Sequence, residues 1–186
     1  MRGDFAGKPG LRGFEGSVVR YLFFIPLLAL ASCNIWNGVE MSVSVTETAL
    51  FVVKMLCVGF IEEILFRGFL FNALAKDNKK LAVLISSLTF GAGHLVNLFN
   101  GADFLSTVLQ ICYAAAIGFL FTIIFIRSKS LWPCIITHSA INSLSAFSVD
   151  GDVTFDIITS LILIVVSVGY ALFIIKFCNN EKRELS

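Results

Sequence analysis

The chain has 186 residues, of which 57% are hydrophobic and 15% charged, with a mean hydropathy of +0.87. That is too apolar for an ordinary soluble domain, and it points to a membrane protein. The formal net charge of +1 singles out no partner and gives no reason to expect nucleic acid. Cys33, Cys57, Cys112, Cys134 and Cys178 are scattered without a Cys-x-x-Cys pair. This argues against both a disulfide framework and a zinc cluster, and leaves them as small buried hydrophobes.

Residues 1–17 are Gly-rich and polar, and no packed structure is expected of them. The first apolar run is Val18–Ile35. An alternative reading makes it a lipoprotein signal cut before Cys33, because Leu30-Ala31-Ser32-Cys33 resembles that cleavage site. Five further runs follow: Thr46–Ala75, Leu81–Phe99, Phe104–Ile126, Leu131–Phe147 and Phe155–Phe177. Most reach the ~20 residues that cross a ~30 Å hydrocarbon core; the first, third and fifth are marginal. A short tail, 178–186, closes the chain.

The loops set the orientation. Arg2, Lys8, Arg12 and Arg20 precede the first run; Lys76, Lys79 and Lys80 lie between the second and third. Arg127 and Lys129 lie between the fourth and fifth, and Lys176, Lys182 and Arg183 follow the sixth. The alternate loops carry only acids: Glu40, Glu47, Asp103, Asp150, Asp152 and the flanking Asp156. Under the positive-inside rule this predicts an all-α, polytopic transmembrane helical bundle of about six spans, with both termini cytoplasmic. Residues 18–177 form a single domain, with no repeat and no linker.

Within this apolar chain, Glu62, Glu63 and Arg67 interrupt the second run. An ionisable side chain near a bilayer centre costs at least ~2.5–3.5 kcal/mol on insertion scales, so its presence needs a functional or structural reason. Glu63 and Arg67 are spaced i, i+4 with the acid first, so on a helix they pair. Glu62 is turned about 100° away and lacks that partner. Two carboxylates with such different surroundings suit acid–base chemistry; the plainer reading of Glu63 is a structural ion pair.

Both histidines of the chain fall inside apolar runs. His94 follows Phe90 at i+4, and Asn142 follows His138 at i+4, so each pair shares a helix face. Gly91 and Gly93 would let a neighbouring helix come close. Counted from the nearest basic loop residue, Glu62 and His94 lie roughly 21 Å along their helices, Asn142 roughly 20 Å and His138 about 13 Å. These lengths allow the four side chains to converge in one layer, with His138 on its cytoplasmic side.

A carboxylate, two imidazoles and an amide, with no evident nucleophile, suit attack by activated water on a carbonyl. Glu62 would take the proton, His94 would hold the water, and His138 with Asn142 would donate to the oxyanion. Peptide-bond hydrolysis fits best. Zinc remains open, with Glu62, His94 and His138 as a three-ligand set. Cys134, one turn before His138, is a weaker nucleophile candidate. Ser139 faces away from the imidazole. There is no His-Glu-x-x-His or Gly-x-Ser-x-Gly motif and no pair of membrane aspartates.

Glu-Glu-x-x-x-Arg at 62–67, Phe-x-x-x-His at 90–94 and His-x-x-x-Asn at 138–142 resemble the three motifs of the CPBP family, the CAAX prenyl protease and bacteriocin-processing (Abi) intramembrane glutamic endopeptidases. The resemblance covers about 51–146. It implies a helical membrane fold with a polar cavity opening to the cytoplasmic side. It also implies Glu62 as general base, His94 as its water-positioning partner, His138 and Asn142 as oxyanion hole, and Glu63, Arg67 and Phe90 in supporting positions. Metal-independent catalysis is the expectation, so no cofactor. The chain is short for the family, with one span before the Glu-Glu helix. It looks more like a bacterial member acting on peptides or membrane-protein segments in the cell membrane. Two rivals belong to other classes: a non-catalytic bacteriocin-immunity or regulatory binder, and a proton-coupled transporter, which the lack of an inverted repeat disfavours.

Overall fold

A computed structural model describes residues 10–11 and 25–180, with side chains to 176. The polar 1–17 segment (but for Gly10 and Leu11), the opening part of the first apolar run and the residues beyond 180 lie outside the described residues. So do Arg2, Lys8, Arg12, Arg20, Lys182 and Arg183 of the charge pattern.

Among the described residues every regular element is helical, apart from an isolated antiparallel bridge between Val39 and Ser148. Helix α1 is Ile25–Ala31, followed by a 3-10 turn, Cys33–Ile35. Helix α2 covers 45–74: an α-helical part Val45–Glu63, a π-helical part Ile64–Phe71 and a closing turn Asn72–Leu74. Helix α3 is Lys79–Phe99, tightened to 3-10 at Gly93–Leu95. Helix α4 is Phe104–Ser128, α5 is Trp132–Leu144 and α6 is Val153–Asn180, the last running past the expected end at 177.

The polar loop residues start these helices. Ser44 and Glu47 form a reciprocal capping box for α2. The Asn78 Oδ1 accepts from the Lys80 and Leu81 N–H groups at the start of α3. The Asp103 Oδ1 accepts from Ser106 N–H at 2.9 Å to open α4. That N–H holds the Asp103 carboxyl below its ordinary range. Because the folded value is the lower one, this cap is made above the usual carboxylate range and weakens as pH falls through the folded value.

Among the described residues, three helices are long and apolar enough to cross a membrane: Lys79–Phe99, Phe104–Ser128 and Val153–Lys176, with mean hydropathies of 1.6, 2.2 and 2.6. Helix α5 has 13 residues, about 20 Å, which falls short of a ~30 Å core on its own. Pro133 fixes its first turn, and the 3-10 turn Ser145–Phe147 ends it. Helix α2 carries Glu47, Lys54, Glu62, Glu63 and Arg67 and is not among the uniformly apolar three.

Helix α4 is the centre of the molecule. It packs along α3 on one side and α6 on the other, and it touches the π-helical part of α2 and α5. Every residue from Leu120 to Phe125 is buried, as expected of a helix enclosed all round. One core joins its Ile117, Leu120, Phe121 and Ile124 to Leu27 and Leu30 of α1, Cys134 of α5 and Leu163 of α6. A second joins Phe125 to Phe71, Ala82 and Leu131. Cys33 is buried in the first of these. Large apolar side chains such as Leu50, Val53, Leu84, Leu88, Leu161 and Val165 point outward and are exposed, which suits a lipid-facing surface.

Helices α2 and α5 lie side by side, and one glycine sets their closeness. A Cβ at Gly59 would stand 2.5 Å from Ser139 Oγ and 2.8 Å from its backbone nitrogen. The rotor could turn; the backbone could not. Gly59→Ala should therefore cost about 1–3 kcal/mol of folding stability, seen as a lower unfolding midpoint in detergent. Gly93→Ala, whose Cβ would meet nothing within 4 Å, should not.

Candidate active site

The π-helical part of α2 begins directly after the Glu-Glu pair. A π turn has i→i+5 hydrogen bonds and is commonly found at functional positions. Here it carries Arg67 back over Glu63 and across to α4. Arg67 Nη1 donates to Glu63 Oε1 at 2.9 Å, and both side chains are fully buried. The other arm, Nη2, donates to the Gly118 carbonyl of α4 at 3.1 Å, which also accepts from Thr122 Oγ1 at 2.8 Å. The expected i, i+4 ion pair is therefore present, and it is also a bolt between two helices.

Aromatic rings enclose the guanidinium. Its central carbon lies 4.3 Å from the Phe90 ring centre, 5.6 Å from Phe121 and 6.0 Å from Phe66. The ring quadrupoles favour a cation placed there. Gly118 makes room: a Cβ on it would come within 3.1 Å of both Arg67 Nη2 and Phe90.

His138 arrives from α5 and is buried. Its Nδ1 lies 3.0 Å from Glu63 Oε1, the oxygen already paired with Arg67. Its Nε2 lies 3.7 Å from Glu62 Oε2. One imidazole thus stands between the two adjacent carboxylates. Glu63 is sealed, whereas the Glu62 side chain keeps 34% of its surface open.

His94 sits in the 3-10 turn of α3, partly buried. Phe90 packs against both imidazoles: its ring centre is 5.8 Å from His94 and 5.4 Å from His138. Residues from α2, α3 and α5 that are distant in sequence are thereby gathered around one ring. Asn142 stands one turn after His138 and is partly buried, but its side chain makes no hydrogen bond among the described residues. Cys134 is buried, its thiol directed to the Phe121 carbonyl at 3.4 Å, and Ser139 donates to the Leu56 carbonyl, away from the site. Among the described residues no three His, Cys, Asp or Glu side chains are close enough together to hold one ion, so the Glu62, His94, His138 ligand set is not assembled in this arrangement.

Gly118, Thr122 and Phe121 were not singled out from sequence. The only signal was a glycine in an apolar run, a common mark of close helix approach. Helices α2 and α5 also frame an apolar groove of about 560 Å³, lined by Val52, Leu56, Phe60, Ile136, Ser139 and Ser143 among others; no candidate site residue lines it.

Residues 44–144 match the family described as Type II CAAX prenyl endopeptidase Rce1-like, a range that includes every candidate residue above. The Bacillus subtilis (strain 168) protein named "Putative membrane peptidase YdiL" is 30% identical over 133 residues, which is 71% of this chain and 48% of that protein. The chain thus spans about half the length of the curated relative it matches. No solved structure matches.

Removing the guanidinium would leave Glu63 charged and unpaired in a sealed interior. Arg67→Ala should cost about 3–5 kcal/mol, visible as a large drop in the unfolding midpoint or as loss of folded protein.

Proposed function

This chain belongs to the Rce1-like family of type II CAAX prenyl endopeptidases, within the CPBP group, and we propose that it is an intramembrane endopeptidase that hydrolyses a peptide bond with water activated by Glu62. The observation that carries this is the pairing of one reachable carboxylate with a buried imidazole. Glu62 Oε2 lies 3.7 Å from His138 Nε2, and 34% of the Glu62 side chain stays open, whereas Glu63 has no exposed surface. A general base has to reach the water it deprotonates, and only the first glutamate can.

Glu62 takes a proton from water held with the help of His94, and the hydroxide attacks the carbonyl carbon of the substrate. His138 and Asn142, one turn apart on α5, donate to the oxyanion. Glu63, Arg67 and Phe90 hold these groups in place. The site works without metal. Its substrate is a peptide or a membrane-protein segment. The protein acts in a bacterial cell membrane, with the site opening toward the cytoplasmic, lysine- and arginine-rich side.

Glu62→Gln keeps size and most hydrogen bonding but cannot act as a base. It should lower kcat by at least about a hundredfold while membrane insertion stays normal. Full biological activity in that variant would sink the enzyme and leave a binding or immunity protein. A chelator should cause no lasting inhibition of the purified protein; inhibition reversed by zinc would contradict metal-free catalysis.

A further inference from the structure

The reaction above leaves Glu63 without a chemical part. A carboxylate that served only a guanidinium would pair best through both oxygens. Glu63 is turned differently. Its Oε1 meets both Arg67 Nη1 at 2.9 Å and His138 Nδ1 at 3.0 Å, while Oε2 has no partner among the described residues. An ionised carboxylate only accepts, so the hydrogen in the 3.0 Å contact is on Nδ1. In the neutral ring Nε2 is then the bare nitrogen, and it faces Glu62. The other groups near the imidazole include Phe90 of α3 and Phe121 of α4, with Arg67 paired to Glu63 and His94 packed on the same Phe90 ring. Cys134, one turn earlier on α5, is directed to the Phe121 carbonyl. Among the described residues no other polar group bonds to Nδ1.

We infer, on the reading proposed above, that Glu63 is the positioning residue of His138: it holds the hydrogen on Nδ1, so that Nε2 receives the proton of the attacking water and returns it to the leaving nitrogen. As the water oxygen bonds to the carbonyl carbon, the C=O π pair moves onto oxygen and the water proton passes to Glu62. Glu62 hands that proton to Nε2. The ring then has two N–H groups; Nδ1–H stays on Glu63, and Nε2–H donates to the oxyanion. When the oxyanion pair re-forms C=O and the C–N bond breaks, the leaving nitrogen takes the proton from Nε2. The ionised, buried Glu63 stabilises the transient imidazolium, as the acid of a Ser-His-Asp triad does. The resting 3.7 Å gap between Nε2 and Glu62 closes as the substrate docks.

The test uses the purified full chain in detergent with isotopically labelled histidine. The chain has only two histidines, so His94→Gln assigns the signals by subtraction. The His138 ring should show a hydrogen-bonded Nδ1–H and a bare Nε2. Glu63→Gln should let the ring populate both tautomers and lower kcat by about a hundredfold or more, with KM within about twofold. Glu63→Asp should restore part of both. A wild-type ring carrying its hydrogen on Nε2 overturns the inference, and so does an unchanged kcat in Glu63→Gln. Should Glu63→Gln fail to fold, the wild-type spectrum still decides. Loss of cleavage in step with loss of folded protein, with the ring signals unmoved, would reduce Glu63 to a structural partner of Arg67. A tautomer that responds to Glu63 in a protein that cleaves nothing would instead refute the protease reading and leave this contact standing.

Discussion

The buried Glu63–Arg67 pair is the constraint on which the rest of the molecule depends. Neither charge could sit unpaired in a sealed, lipid-surrounded interior. The two groups therefore fix more than each other. Arg67 reaches the Gly118 carbonyl and ties α2 to the central helix α4; Glu63 accepts from His138 and ties α2 to α5. Phe90 of α3 lies over the guanidinium. Four helices thus converge on one ion pair. The glycines at 59 and 118 let the backbones come near enough for this to happen. Desolvation makes such a pair a poor source of net stability. Its value lies in orientation, because a partner displaced by a fraction of an ångström leaves a charge uncompensated.

That arrangement also divides the work of two adjacent glutamates. The side chains of 62 and 63 are adjacent in sequence and meet the same imidazole, but they differ sharply in burial and in their other partners. One is sealed and shared between a guanidinium and an imidazole; the other is one-third open and faces the far nitrogen of the same imidazole. A single carboxylate could not both hold His138 in one orientation and remain free to meet water. On the proposed reading, this gives the doubled acid of the first motif a physical reason.

Much of this was legible in the sequence, for identifiable reasons. Charges are so costly in an apolar run that Glu62, Glu63 and Arg67 stood out, and the i, i+4 spacing gave the ion pair directly. Helices α2, α3, α4 and α6 followed from the length of their apolar runs. What could not be read was which helices touch. That Phe90 touches both imidazoles, that Gly118 supplies a carbonyl to Arg67, and that His138 meets both carboxylates are facts of packing between distant segments. The π-helical register at Ile64–Phe71 has no signature in residue types. The fifth run was expected as a marginal span. Its helix stops at 13 residues because Pro133 sets its start and a 3-10 turn its end. Asn142 shares a helix with His138 as its spacing required, but the spacing carried no information about a partner, and its side chain bonds to none among the described residues.

The claim that Glu63 and Arg67 act as one unit is tested most directly by a double-mutant cycle on unfolding free energy in detergent, combining Glu63→Gln and Arg67→Gln. If the two charges compensate each other, each single variant is strongly destabilised and the double variant recovers part of the loss, with a coupling of about 0.5–3 kcal/mol. Additive losses, with no recovery in the double variant, would contradict the account.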